Sequence, residues 1–420
     1  MVNMKKFYKL IILIAAALIF FKSYKSTFAV TNPHSTENNI FGIHIQDEND
    51  LIDAAKLVNS SGGEWGYVTM VLRSDERDVN RWQNVFDRMR ELHLIPIIRI
   101  ATKQEGSGWL KPTTDDIDGW VNFLDSLNWV TQNRYVVVGN EPNHAAEWGG
   151  VIDPQGYAEF LKEFSIQLKR KDDDFFVLPA GLDASSPNNK THMSETNFIK
   201  SMHDKVPDIF DHIDGWTSHS YPNPNFSESP DKTGIVSITG YINEIEFIKT
   251  LSVKKNLPIF ITETGWTHDV GGENKFLSVD VLKKYYTQAF EKWLKDPNIV
   301  AVTPFMLNYQ SEPFNTFSFK KADGSFYDFY SEIQKMLKKS GNPKRINSAT
   351  MVAELTPDLI QKDDKTYQLS ILKNTGQMIW EMDNLYIVKI EGYDIDAEIG
   401  YPLFTRIDPG HIGILMFRKL

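Results

Sequence analysis

The chain has 420 residues, no cysteine, a hydrophobic fraction of 41%, a charged fraction of 24% and a formal net charge of -10. That length exceeds one average domain and predicts one large core with a smaller appendage. The acidic balance gives no electrostatic reason to expect nucleic acid or an anionic membrane as the main partner, and the missing cysteines exclude disulfide staples, thiol catalysis and cysteine metal sites.

At the N-terminus, Lys5, Lys6 and Lys9 precede an apolar run from Leu10 to Phe21, and small residues Thr27 and Ala29 follow. This is the pattern of a secretory signal over residues 1–29, cleaved after Ala29; an uncleaved N-terminal anchor is the alternative, although the run is shorter than the roughly 20 residues of a comfortable span. The chain is therefore expected to be exported, either secreted or anchored on the outer face of the membrane. Residues 30–40 read as a linker.

From Phe41 onward, short β-rich runs alternate with longer amphipathic segments. The predicted strands are FGIHI from Phe41, YVTMVLR from Tyr67, IPIIRIA from Ile95, YVVVGNE from Tyr135, FFVLPAG from Phe175, WTSHSY from Trp216, PIFITET from Pro258 and VAVTPFML from Val300. Predicted helices follow them at 49–58, 80–92, 116–127, 154–168, 197–208, 238–251, 278–294 and 327–337. In 80–92, for example, Trp82, Val85, Phe86 and Met89 share one helix face. Eight β-then-α units over 41–338 are what a (β/α)8 TIM barrel requires. A doubly wound open sheet would show the same alternation, but no glycine-rich phosphate loop follows the first strand, and polar residues gather at the C-terminal ends of many different strands.

Residues 339–348 read as a second linker, and 349–420 as a small all-β sandwich built from alternating runs such as YQLSILKNTG, LYIVKIEGYD and IGILMFRKL. The predicted fold class is thus α/β, a TIM barrel followed by a small β-sandwich. No HExxH and no calcium-loop spacing occurs, so neither a metal nor a cofactor is expected.

Two motifs stand at the ends of predicted strands four and seven: GNEPN, with Asn140 and Glu141, and TETGW, with Glu263 and Trp266. In a barrel, period-two alternation carries Glu263 up from Ile259 and Ile261 to the rim, and Glu141 up from Val137 and Gly139. The same alternation turns Asn140 away from Glu141 unless the strand ends or bulges there. Two rim carboxyls facing one another are the equipment for cleaving an acetal, one protonating the leaving oxygen and the other stabilising or bonding the oxocarbenium-like carbon.

Together the two motifs resemble clan A of the glycoside hydrolases over residues 41–338. The resemblance implies a retaining enzyme with Glu141 as acid/base and Glu263 as nucleophile, acting on β-glycosidic bonds of an oligo- or polysaccharide. It further implies that Asn140 binds the hydroxyl next to the anomeric carbon and that Tyr221 on strand six keeps the nucleophile ionised, with His219 as a second partner. Arg73 matches the arginine beneath the nucleophile, with Arg99 as a competitor. His44, Trp148 and Asn308 are candidate sugar contacts. Strand eight departs from the clan pattern: VTPFMLNYQ lacks the usual tryptophan floor, and Trp266 is the expected substitute platform. The segment KNTGQMIW resembles the turn and tryptophan of immunoglobulin-like accessory modules. Transglycosylation through the same intermediate, or a catalytically silent carbohydrate-binding surface protein, are the alternative functions. Each acidic or aromatic residue taken singly has a plain structural alternative as a salt-bridge partner or core ring.

Overall fold

The computed structural model describes residues 30–270, 276–355, 360–362, 364–381, 385–392, 395–400 and 406–420. The expected leader, 1–29, lies outside these residues. Among the described residues no helix is long and apolar enough to cross a membrane.

Eight parallel strands are present: β1 (Gly42–Ile45), β2 (Gly66–Arg73), β3 (Leu94–Ala101), β4 (Arg134–Val138), β5 (Phe175–Pro179), β6 (Trp216–His219), β7 (Ile259–Glu263) and β8 (Ile299–Val302). Each is followed by a helix: α1 (Leu51–Val58), α2 (Val79–Glu91), α3 (Asp115–Ser126), α4 (Pro154–Lys171), α5 (Glu195–Lys205), α6 (Gly240–Thr250), α7 (Val279–Trp293) and α8 (Asp328–Lys335). The helices begin where the local chemistry can satisfy free N–H groups. Asp78 accepts from Arg81 N ahead of α2, Ser278 from Val281 N ahead of α7, and Asp153 from Gly156 N ahead of α4, which opens on Pro154.

Ladders run continuously from β1 to β5 and from β6 to β8. Single bridges complete the ring. Phe41 pairs with Val302, His44 N bonds the Pro304 carbonyl, Asp183 pairs with His219, and Asp214 N bonds the Val177 carbonyl. The (β/α)8 barrel is therefore the fold, and the open-sheet alternative falls away. Inside it Tyr135 packs against Tyr67, Phe176 and Phe260, with ring centroids 5.0–6.1 Å apart. These rings fill the lower barrel, so the open end lies at the C-terminal ends of the strands.

The expected linkers are less free than their composition suggests. Asn38 Nδ2 donates to the Val300 carbonyl and Asn39 Nδ2 to the Val58 carbonyl, which ties 30–40 to the end where strands enter. Gly341 N, Asn342 N and the Lys344 carbonyl bond Glu64, Glu37 and Gln132 on that same end.

The tail is all-β: β9 (Ser348–Glu354), β10 (Ile360–Lys362), β11 (Lys365–Asn374), β12 (Leu385–Glu391), β13 (Ile395–Gly400) and β14 (Ile412–Lys419). Its pairing order is β9-β12-β13-β14-β11-β10, and β9 also pairs with β11, so the sheet wraps round its own core of Trp380, Ile390, Ile399 and Phe417. Asn128 Nδ2 to the Gly376 carbonyl, Gln377 Nε2 to the Thr131 carbonyl and Arg406 to Glu91 dock it on the barrel. All three barrel partners lie in segments that enter strands, at the end opposite Glu141 and Glu263.

Candidate active site

Strand β4 stops at Val138, and the chain then turns through Gly139 (φ +91°) and Glu141 (φ +30°). The break in the pleat solves the parity problem posed by Asn140 and Glu141, since both can now face the barrel mouth. A positive φ at a non-glycine residue is a strained backbone state that its surroundings must hold in place. Here Glu141 N donates to the Gly181 carbonyl at 3.1 Å and His144 N to the Glu141 carbonyl at 2.8 Å.

Opposite stands Glu263, the last residue of β7. The register between β6 and β7 slips after Ser218, so that His219 pairs with Glu263. Ser218 points outward to Glu244 of α6, and His219 and Tyr221, of opposite parity, point inward as expected. His219 Nδ1 lies 2.8 Å from Glu141 Oε1 and 3.8 Å from Glu263 Oε2. The Tyr221 hydroxyl donates to Glu263 Oε2 at 3.1 Å. One carboxylate oxygen of Glu141 and one of Glu263 come within 4.8 Å of each other.

Arg99, not Arg73, supports Glu263. Its Nη1 bonds Glu263 Oε1 and donates to Asn140 Oδ1 at 2.7 Å. Arg73 is the final residue of β2, where Asp75 and Glu76 just beyond the strand capture its guanidinium at 3.2 and 3.0 Å, half-exposed. Arg99 sits two residues before the end of β3, deep enough to remain in the barrel layer.

The electrostatics favour an ionised Glu263. Burial alone would raise the Glu263 carboxyl, but the charges of His219 and Arg99 outweigh it and hold Glu263 below the usual carboxylate range. His219 is raised despite its burial, because both Glu263 and Glu141 face it. Burial and then Arg99 lower His44 to about 3, so His44, with Nδ1 3.9 Å from Glu263, stays neutral. Burial, and then the charges of Glu263 and Glu141, push Tyr221 well above its ordinary value, which keeps its hydroxyl a donor.

Other expectations do not survive. Trp266 cannot be a platform: it is fully buried against Tyr285 and Tyr286, and its Nε1 donates to the Glu228 carbonyl. Trp148 is likewise buried, packed on Tyr157 and Phe160. The Asn308 amide is engaged by Asp50 just ahead of α1, to which its NH2 donates. In both tryptophans the large apolar ring found a core slot, which is the ordinary fate of such residues.

Sequence reasoning also missed residues. Phe305 is half-buried just past β8, its ring edge-on to His44 at 5.1 Å and to Phe317 at 5.7 Å. It stands where the sequence pattern showed no strand-eight tryptophan, and it lies within the VTPFML run itself. Glu147 is a third carboxyl beside Asn140, pushed up to about 7 by burial and then by the charge of Glu141. His144 approaches Glu141 from the other side, with Nδ1 3.9 Å from Oε2.

Glu141, His219 and Glu263 form the one cluster among the described residues with donor atoms close enough for a single cation. The Arg99 guanidinium already supplies positive charge at Glu263.

No family model matches the sequence, and no curated protein sequence matches it. Among solved structures, the chain is similar to a family 39 glycoside hydrolase from the gut symbiont Bacteroides cellulosilyticus, with a TM-score of 0.51 and 15% identity over 92% of this chain and 82% of that one. It is also similar to a monomeric beta-xylosidase from Caulobacter crescentus, with a TM-score of 0.50 and 13% identity over 87% and 74%. The shared feature is the fold. Two glycosidases thus carry the barrel that this chain carries, and the chemistry here must be argued from its own residues.

A glycine supports this geometry from below. A Cβ built on Gly181 would lie 2.2 Å from His219 Cδ2 and 2.5 Å from Nε2, so only glycine lets the imidazole reach Glu141. Gly181→Ala is expected to cost about 1–3 kcal/mol by overpacking and to part His219 from Glu141. Urea unfolding measures the first effect and histidine NMR titration the second; an unaltered His219 titration would refute the assignment.

Proposed function

We propose that the protein is an exported retaining glycoside hydrolase that cleaves β-glycosidic bonds of an oligo- or polysaccharide by double displacement. The supporting observation is the approach of Glu141 and Glu263 to within 4.8 Å, which suits the separation of about 5–5.5 Å used for covalent retention better than the 6.5–9.5 Å that leaves room for an inverting water.

In the first step the Glu263 carboxylate bonds the anomeric carbon as the glycosidic C–O bond breaks, and Glu141 gives its proton to the departing oxygen. In the second, Glu141 takes a proton from water, whose oxygen bonds the anomeric carbon and releases Glu263. Arg99, Tyr221 and His219 keep the nucleophile ionised. Arg99 also fixes the Asn140 amide with its oxygen toward the guanidinium, so that the NH2, beside Glu147, is the group available to the hydroxyl next to the reacting carbon. Phe305 offers a ring for the floor of the sugar site in place of the missing tryptophan.

The test is a glycan-panel screen with product anomers followed by NMR. A β-product formed first supports the reading, and an α-product overturns it. Transfer to excess acceptor sugar would mark a transglycosylase, and saccharide binding without cleavage a silent carbohydrate-binding protein. Glu141→Ala should spare the first step on aryl glycosides with good leaving groups while costing about 10²–10⁴-fold on poor ones, because only the latter need the proton. Equal losses on both would count against Glu141 as the acid.

A further inference from the structure

Glu141 faces an imidazole on each side. Oε1 is 2.8 Å from His219 Nδ1, and Oε2 is 3.9 Å from His144 Nδ1. His144 is anchored through its other nitrogen: Nε2 lies 2.9 Å from Asp183 Oδ2 and 2.7 Å from Ser186 Oγ. The backbone around it is equally fixed. Asn143 is buried, and its side chain donates to the Asp183 and Met193 carbonyls, while its Oδ1 accepts from Asp183 N. A bridge between His144 and His192 ties the two loops together.

With a carboxylate at Nε2, that nitrogen carries a proton, and Nδ1 is the atom presented to Glu141. The geometry points to His144 as a positioning residue for the acid/base: anchored by Asp183 and Ser186, it places its charge beside the Glu141 carboxyl and so ties the pH dependence of acid/base catalysis to its own protonation. This rests on the glycosidase reading for its meaning in catalysis, though not for its physical content.

The surroundings set the sign. Facing His144 are Asp183, Glu141, Glu147 and His192; facing Glu141 are His219, His144, Glu147, Glu263 and Tyr221. Burial lowers His144, but the Asp183 bond and the charges of Glu141 and Asp183 outweigh it and raise it above the ordinary imidazole value. A cation beside Glu141 favours its ionised form. Removing that cation is expected to move the alkaline limb of kcat/KM, which reports loss of the acid's proton, upward.

Two measurements test this. In His144→Gln the alkaline limb on a cleaved glycoside is expected to rise by about 1 pH unit, while His192→Gln, which removes a ring neighbour with no contact to Glu141, leaves it in place. A fall in kcat with an unmoved limb, or equal movement in both variants, overturns the proposal. The second measurement needs no turnover: imidazole NMR of the full protein should show His144 titrating at lower pH in Glu141→Gln than in the wild type, since coupling between two sites is reciprocal. An unchanged His144 titration overturns the proposal even if the enzyme is a glycosidase. A lowered one upholds the coupling even if no glycoside is cleaved.

Discussion

Glu263→Ala is expected to lower turnover of activated aryl β-glycosides by about 10⁴-fold or more, the scale seen when a covalent nucleophile is removed. Added azide should then enter the vacated space and restore cleavage, with the product inverted at the anomeric carbon. The expectation follows from the way Glu263 is held: Arg99 and Tyr221 both bond it, and His219 faces it, so little besides a nucleophilic anion is prepared there. Progress curves and NMR of the azide product provide the check. Near wild-type activity in this variant would remove Glu263 from the mechanism.

Arg99→Leu should be the most destabilising change at the mouth of the barrel, at about 3–5 kcal/mol, because it leaves a buried carboxylate without its partner. The side chains of Arg99 and Glu263 are only 11% and 10% exposed. Arg73→Leu removes two ion pairs at a half-exposed position, and should change stability by less than about 1 kcal/mol. Urea unfolding of the two variants separates them. Activity should also differ: without Arg99, Glu263 binds its proton at higher pH, so the acid limb of kcat/KM moves upward. Arg73→Leu should leave that limb alone. If the arginines behaved alike, the assignment of support for Glu263 to Arg99 would fail.

Much of the barrel was legible because its signals are local. Strand β2 was expected at 67–73 and is found as Gly66–Arg73; helix α2 was expected at 80–92 and is found as Val79–Glu91. Period two and period 3.6 leave their marks in neighbouring residues, and caps such as Asp78 and Ser278 mark where helices begin. The carboxylates could be located for the same reason, since Glu263 ends the seventh strand and Glu141 lies just beyond the end of the fourth. The aromatic assignments were harder. Trp266 follows the nucleophile in sequence and looked available, yet its ring turned into the core beside Tyr286, while Phe305, inside a run that read as ordinary strand, reached the mouth. Burial of a ring depends on the shape of the space around it, which is assembled from distant segments.

From the amino acids alone came the eight alternating units, the all-β tail and two glutamates at the ends of the fourth and seventh strands, because hydrogen-bonding period and turn chemistry act over a few residues. Tertiary structure decided which arginine meets Glu263, which imidazoles flank Glu141 and which aromatic is exposed. Those outcomes turn on a slipped register at His219, a vacant Cβ position at Gly181 and two acids beyond β2 that hold Arg73 outside. Each is a contest settled by contacts between residues far apart in the chain, and pattern along the chain does not record its winner.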